Sequence, residues 1–174
     1  MMNLTRRTVL SVSLAMGIAN LATMKASAAS GSLSSADFLI VFKSNRILGL
    51  YRSVDGKPVL LRKYHIDLGF SPRGDKGQVG DGRTPEGTYF INRRNENSAY
   101  HLSLGFSYPD KKDVAEAKVK GVNPGGDIFI HGETANLRSR FKRDWTAGCI
   151  AVTNRDIEEI WATVPIGTPI AIRP

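Results

Sequence analysis

The chain has 174 residues, 24 lysines and arginines against 16 aspartates and glutamates, a net charge of +8 and a single cysteine. That length supports one domain with a real hydrophobic core, and a lone cysteine excludes a disulfide within the chain. The basic excess draws the protein to anionic polymers, bacterial cell-wall material included, but no basic helix or aromatic-basic motif accompanies it, which argues against nucleic acid.

The N-terminus is laid out as an export signal. Arg6 and Arg7 form a basic start, Val9 to Met24 an apolar run, and Ala26-Ser27-Ala28 a small-x-small cleavage site. "TRRTVL" matches a twin-arginine signal, which implies export of a folded protein to the periplasm or envelope of a bacterium. Ser11, Ser13, Asn20 and Thr23 dilute the apolar run, which falls short of the ~20 residues that span a bilayer. Removal at residue 28 is therefore expected, with no stable membrane span left behind. No cysteine lies near the cleavage site to carry a lipid. The segment holds three cations and no acid, so the remaining chain stays basic.

Strand-like segments follow. "FLIVF" (38–42) and "ILGLYRS" (47–53) flank a hairpin turn, and Asp55-Gly56 with Pro58 marks the next turn before the apolar-rich run 59–70. A long Gly-rich loop occupies 71–87. "TYFIN" (88–92) and "YHLSLGFSY" (100–108) read as strands, and 109–121 as a helix started by Pro109 and Asp110 and ended at Gly121. Its apolar face is thin, so it is expected to be an exposed insertion. "DIFIHG" (127–132) is a short buried strand. Residues 153–164 form the clearest helix, with Thr153 and Asp156 as a capping box and Ile157, Ile160, Trp161 and Val164 on one face. "PIAIR" (169–173) is the last strand. Strands with two short helices and no βαβ alternation predict a mostly β fold with the helices packed on the sheets. No internal repeat or interdomain linker is visible.

The Gly-rich loop holds "GQVGDGRT" (77–84), one residue away from a P-loop. A P-loop needs lysine where Arg83 stands and a helix where Pro85 to Ile91 reads as turn and strand. Nucleotide binding is rejected, and the "RTPEG" turn is expected to border a cleft instead. His65, His101 and His131 show no metal-site spacing, so no metal is expected from the residues. His65 and His101 are read as surface or satisfied core residues.

Cys149 with His131 remains. An isolated thiol titrates near ~8.5 and is mostly protonated at neutral pH. A histidine within hydrogen-bond reach can take that proton and hold the ion pair. Gly148 permits close approach of a substrate to the backbone, whose consecutive amides can stabilise an oxyanion. A third group should orient His131. Asp144 and a backbone carbonyl are equal candidates. On cysteine count alone, an inert buried thiol is as good a reading as a nucleophile.

"IHG" (130–132) and "TAGC" (146–149), with "TPEG" (84–87) upstream, resemble the L,D-transpeptidase catalytic domain (YkuD-type), in particular its exported murein branch. The likeness covers roughly positions 36 to 173, so the organisation becomes a signal (1–28), a short segment (29–35) and one catalytic domain (36–174). The resemblance implies a β-rich fold and a thioester mechanism on peptidoglycan stem peptides, with no metal or organic cofactor. Cys149 would be the nucleophile and His131 the base, with Gly148, Thr146 and Gly132 forming the oxyanion and substrate-binding backbone. The acyl group would pass to an amine acceptor, with a cell-wall-linked lipoprotein among the implied partners, or to water in a hydrolase. Two positions depart from many relatives: Ala147 stands in place of histidine and Ala151 in place of arginine. These departures lend weight to a rival of another class, a cell-wall binding module that keeps the fold without the chemistry. A Cys-His protease of ordinary peptides is the third reading. The sequence carries no signal for oligomeric state.

Overall fold

A computed structural model describes residues 35–135 and 142–174. The expected export signal lies outside the described residues, as does nearly all of segment 29–35. The described strands are β1 (Phe38–Phe42), β2 (Ile47–Val54), β3 (Lys57–His65), β4 (Gly87–Ser98), β5 (His101–Phe106), β6 (Phe129–His131), β7 (Ile150–Ala151) and β8 (Pro169–Arg173). Two helices accompany them, α1 (Lys111–Val119) and α2 (Asn154–Thr163). The fold is mostly β, as the strand pattern predicts.

All eight strands join one sheet in the order β3-β2-β1-β8-β4-β5-β6-β7. Alternation of side chains across each strand sends Leu39 and Val41 of β1 and Ile170 and Ile172 of β8 into the core. Asp55 and Gly56 both take the left-handed backbone that a tight hairpin between β2 and β3 requires. β4 is the bent member. Its first four residues pair with β8 and the rest with β5, with register shifts after Ile91 and Asn95. Two pairs are parallel, β1 with β8 and β6 with β7.

The chain just after β3 crosses to the far edge of the sheet. Asp67 and Ala151 exchange two backbone hydrogen bonds (2.9 and 2.8 Å), and Leu68, Thr146 and Phe70 continue the contact. This closure covers the outer edge of β7, which would otherwise present unpaired backbone groups. Gly69 is required there, because a Cβ would lie 2.1 Å from the Gly82 carbonyl oxygen and 2.9 Å from the Gly148 Cα.

α2 lies against β5 and β6 and buries Ile157, Ile160 and Val164 completely. Thr153 caps it by accepting the Asp156 N–H, while Arg94 donates to the carbonyls of Trp161 and Val164 at its end. The two-way capping box belongs to α1 instead, where Asp110 and Asp113 bond reciprocally. α1 is exposed over most of its length, as its thin apolar face predicts, with only Asp113 and Ala117 buried. Its thin apolar face is supplemented by a polar anchor, buried Asp113, which accepts the Tyr89 hydroxyl at 3.1 Å.

The Gly-rich loop is tied down by two buried lysines. Lys43 donates to the carbonyls of Gly74 and Thr84 and to Glu86, and Lys76 donates to Asp81 and the Gln78 carbonyl. Asp81 accepts the N–H groups of Gly77, Gln78 and Arg83. The amides that a phosphate would need are thus turned onto an aspartate within the loop. Burial alone would raise the Asp81 pKa, but the Arg83 amide, Lys76 and the other two amides together hold it at about 2. A carboxylate depressed in the folded state stabilises above its unfolded pKa of ~3.9 and loses that contribution as pH falls through its folded value. Urea denaturation across pH should show wild type more stable than Asp81→Asn by about 2 kcal/mol at neutral pH. The gap should narrow between about pH 4 and pH 2. A gap that stays constant down to pH 2 would refute the assignment.

Candidate active site

His131 ends β6, between Ser103 of β5 and Ala151 of β7, and is 3 % exposed. Its Nδ1 lies 2.7 Å from the Gly132 carbonyl oxygen. A carbonyl only accepts, so Nδ1 carries the proton and Nε2 keeps its lone pair in the neutral ring. This settles which group orients His131. Asp144, the side-chain candidate, is engaged elsewhere, forked onto the Arg46 guanidinium at 2.7 and 2.8 Å and accepting the Leu68 N–H.

Two aromatic rings fix the imidazole plane. Tyr100 stacks on it with ring centroids 4.4 Å apart, and Trp145 meets it edge-on at 5.5 Å. Neither position announces itself in the sequence. Tyr100 sits in the turn between β4 and β5, and only the sheet brings it over β6. Gly132 is needed for close packing, since a Cβ would fall 2.6 Å from Asn154 Oδ1 and 2.7 Å from the Tyr100 carbonyl oxygen. Asn154, at the start of α2, accepts the Glu133 N–H and so anchors the chain leaving His131.

Cys149 immediately precedes β7, whose Ile150 pairs with Ile130. The preceding turn is built by buried Thr146. Its hydroxyl donates to the Cys149 carbonyl at 2.7 Å and accepts the Gly148 N–H at 3.1 Å. Gly148 has φ of +137°, and a Cβ there would lie 2.7 Å from the Arg83 carbonyl oxygen. The Gly-rich loop therefore braces the cysteine turn from below. Because the Gly148 amide is held by Thr146, Gly148 serves the turn's shape, and Thr146 is a positioning residue.

The sequence predicts five site residues, and the structure brings His131, Cys149, Gly132, Thr146 and Gly148 into one region where β6, β7 and their flanking turns meet. Two clefts, of about 290 and 350 Å³, are both lined by Tyr100, His131 and Cys149. Ser103 and Phe129 complete one and Trp145 and Ala147 the other. Ala147 is exposed on the second cleft. Ala151 is 3 % exposed and sealed into the ladder between His131 and Asp67. His65 and His101 lie exposed, and His101 is bonded to Glu158 at 2.7 Å. Among the described residues no three histidine, cysteine, aspartate or glutamate side chains gather in a metal-holding group. No helix among them is long and apolar enough to cross a membrane.

Burial pushes the Cys149 thiol up. The Phe129 amide and, at longer range, Lys76 pull it back only in part, and Asp127 adds to the rise. Burial pulls His131 down, against a smaller opposing effect of its bond to the Gly132 carbonyl. Both shifts favour a neutral thiol and a neutral imidazole in place of the resting ion pair expected from the sequence, and the thiol donates to the Asp127 carbonyl at 3.7 Å. The ring is then ready to accept a proton.

Thiolate is the form that reacts with alkylating agents, so a raised pKa delays reaction to higher pH. Alkylation of Cys149 by iodoacetamide should therefore rise with a midpoint above ~8.5 in the absence of substrate. A midpoint below ~7 would rule out the neutral pair. Tyr100→Ala should free the imidazole to rotate and lower kcat by about tenfold or more, with KM changed much less. Tyr100→Phe keeps the stacking face and should retain near-normal kcat.

The profile of the L,D-transpeptidase catalytic domain (YkuD) matches residues 36–172. YafK of Escherichia coli (strain K12), itself only provisionally named an L,D-transpeptidase, is 28% identical over 134 residues, covering 76% of this chain and 48% of YafK. The helical cell shape determining protein Pgp2 of Campylobacter jejuni superposes with a TM-score of 0.63 at 28% identity, over 82% of this chain and 50% of Pgp2. Bd1075 of Bdellovibrio bacteriovorus shares the fold, with a TM-score of 0.58 at 24% identity over 81% of this chain and 51% of Bd1075. The chain spans about half the length of the curated relatives it matches. With the profile match running from just before β1 into β8, and the His-Gly and Thr-x-Gly-Cys turns on adjacent strands within it, this chain belongs to the L,D-transpeptidase catalytic domain family.

Proposed function

We propose that the protein is an exported, cysteine-dependent L,D-transpeptidase that acts on peptidoglycan stem peptides. The observation that carries this reading is the shared position of Cys149 and His131. His131 ends β6 and Cys149 immediately precedes its parallel neighbour β7, and both line the same two clefts, with the imidazole's protonated nitrogen turned away onto the Gly132 carbonyl.

His131 Nε2 takes the Cys149 proton as the sulfur attacks the amide carbonyl before the terminal D-alanine of a stem. The C–N bond breaks, the imidazolium protonates the departing amine, and a thioester remains. An amine entering from the other cleft then attacks the thioester and gives its proton to His131, and the thiol is released. The amine belongs to a second stem or to a cell-wall-linked lipoprotein. Amides of the Cys149 turn stabilise the oxyanion in both halves, each such donor being worth ~3–4 kcal/mol in acyl transfer. With the Gly148 N–H on Thr146, the Cys149 N–H is the first choice for that donor. Export is supported by the Arg6-Arg7 and Ala26-Ser27-Ala28 pattern. Wall cross-linking is work in keeping with the cell-shape role that Pgp2's name gives it.

Purified protein incubated with muropeptides and analysed by mass spectrometry tests the reading. Cross-linked products with loss of D-alanine are expected from wild type and absent with Cys149→Ala. Water uptake with loss of an existing linkage would assign the hydrolase instead. Identical profiles for wild type and Cys149→Ala would leave only a binding module.

A further inference from the structure

A second cavity, of about 510 Å³, lies between the β1–β2 hairpin turn, the start of the Gly-rich loop and residues 143–144. Four cations line it, Lys43, Arg46, Arg73 and Arg143, against two carboxylates, Glu86 and Asp144. Both carboxylates are already neutralised, Glu86 by Lys43 at 2.8 Å and Asp144 by the Arg46 fork at 2.7 Å. Arg73 and Arg143 are left over. Both are exposed, and neither makes a hydrogen bond or ion pair among the described residues. Arg143 acts on Asp144 only through its field. Pro174 also lines the cavity. Even with a carboxylate counted there, a positive charge remains.

The walls are built and fixed. Lys43 is 2 % exposed and holds the Gly74 carbonyl at 2.6 Å, which sets the edge of the loop that carries Arg73. Arg46 and Asp144 both sit in left-handed backbone although neither is glycine, an arrangement their fork maintains. Buried Lys43, half-buried Arg46 and their partners thus form a rigid floor, and two guanidinium groups without partners among the described residues stand at the rim. Guanidinium groups bind carboxylate and phosphoryl oxygens through paired N–H donors.

We propose that this cavity is an oxyanion-binding site, separate from the catalytic pair, in which Arg73 and Arg143 hold a phosphoryl or carboxylate group. The volume is well beyond what one such group fills, so the oxyanion is a substituent of a larger molecule. The site stands independently of the reaction proposed for Cys149. Asp144, which shares its wall, leads directly into Trp145 and Thr146, so the bound anion lies next in sequence to the cysteine turn.

Amide chemical-shift titration of the Cys149→Ala protein at constant ionic strength tests the site with turnover removed. Glycerol 3-phosphate and glutarate serve as the phosphoryl and carboxylate probes. Saturable shifts centred on Arg46, Gly74 and Asp144 are expected for at least one probe, and the lower half-saturation identifies the preferred chemistry. Arg73→Ala combined with Arg143→Ala should weaken that binding by about tenfold, with partial recovery for Arg73→Lys and Arg143→Lys. Both side chains are exposed, so these variants should fold. Shifts that never saturate for either probe, or that survive the double alanine variant unchanged, would overturn the proposal. Because the readout is binding alone, a failed muropeptide assay leaves this result intact, and the converse also holds.

Discussion

Two backbone hydrogen bonds between Asp67 and Ala151 govern the rest of the structure. They close the sheet by bringing the chain that leaves β3 onto the strand that follows Cys149. Without them β7, only two residues long, would have a single neighbour. Such a short strand cannot hold its own register, and a slip of one residue would turn its side chains to the opposite face. The closure also forces three glycines together, Gly69, Gly82 and Gly148, with distances that leave no room for a Cβ at Gly69. The turn that presents the thiol is therefore held by backbone packing from beneath, and its shape owes little to its own side chains apart from Thr146.

The Gly-rich loop belongs to the same construction. Its glycines suggest phosphate binding, but its amides converge on Asp81 and its carbonyls on Lys43 and Lys76. Buried charges of this kind are costly when left unpaired, and every one of these has partners. The loop is thus an internally satisfied platform. Arg83 touches Gly148 with its carbonyl, while its side chain reaches back to Asp75.

Above that platform Cys149 and His131 are tuned by burial. Desolvation disfavours both charged forms, so the resting site stores neither thiolate nor imidazolium. The imidazole is oriented by one carbonyl and two rings in place of a carboxylate. A neutral orienting group stabilises an imidazolium less than a carboxylate would. The same sparing use of carboxylates leaves Asp144 to hold the Arg46 fork, in the wall of the cavity that Arg73 and Arg143 also line.

Strand identities were legible in the sequence wherever alternation was clean. β1 and β8 have the limits that their apolar pattern sets, and β4 runs longer only because its second half pairs with β5. The gathering of Cys149, His131 and the glycines beside them was foreshadowed by short turn motifs at the ends of two strands. The partners that complete the site were not. Tyr100 lies 31 positions before His131 in the numbering, and Asn154 and Trp145 sit in segments whose local pattern speaks only of helix or loop. Asp144 looked like an orienting group by proximity in the chain, but space assigned it to Arg46. Local sequence determines period, turn chemistry and the presence of a lone thiol, since these depend on neighbours in the chain. Ring stacking, pKa direction and the closure onto Asp67 depend on contacts between residues far apart in sequence. Only the folded sheet could decide them.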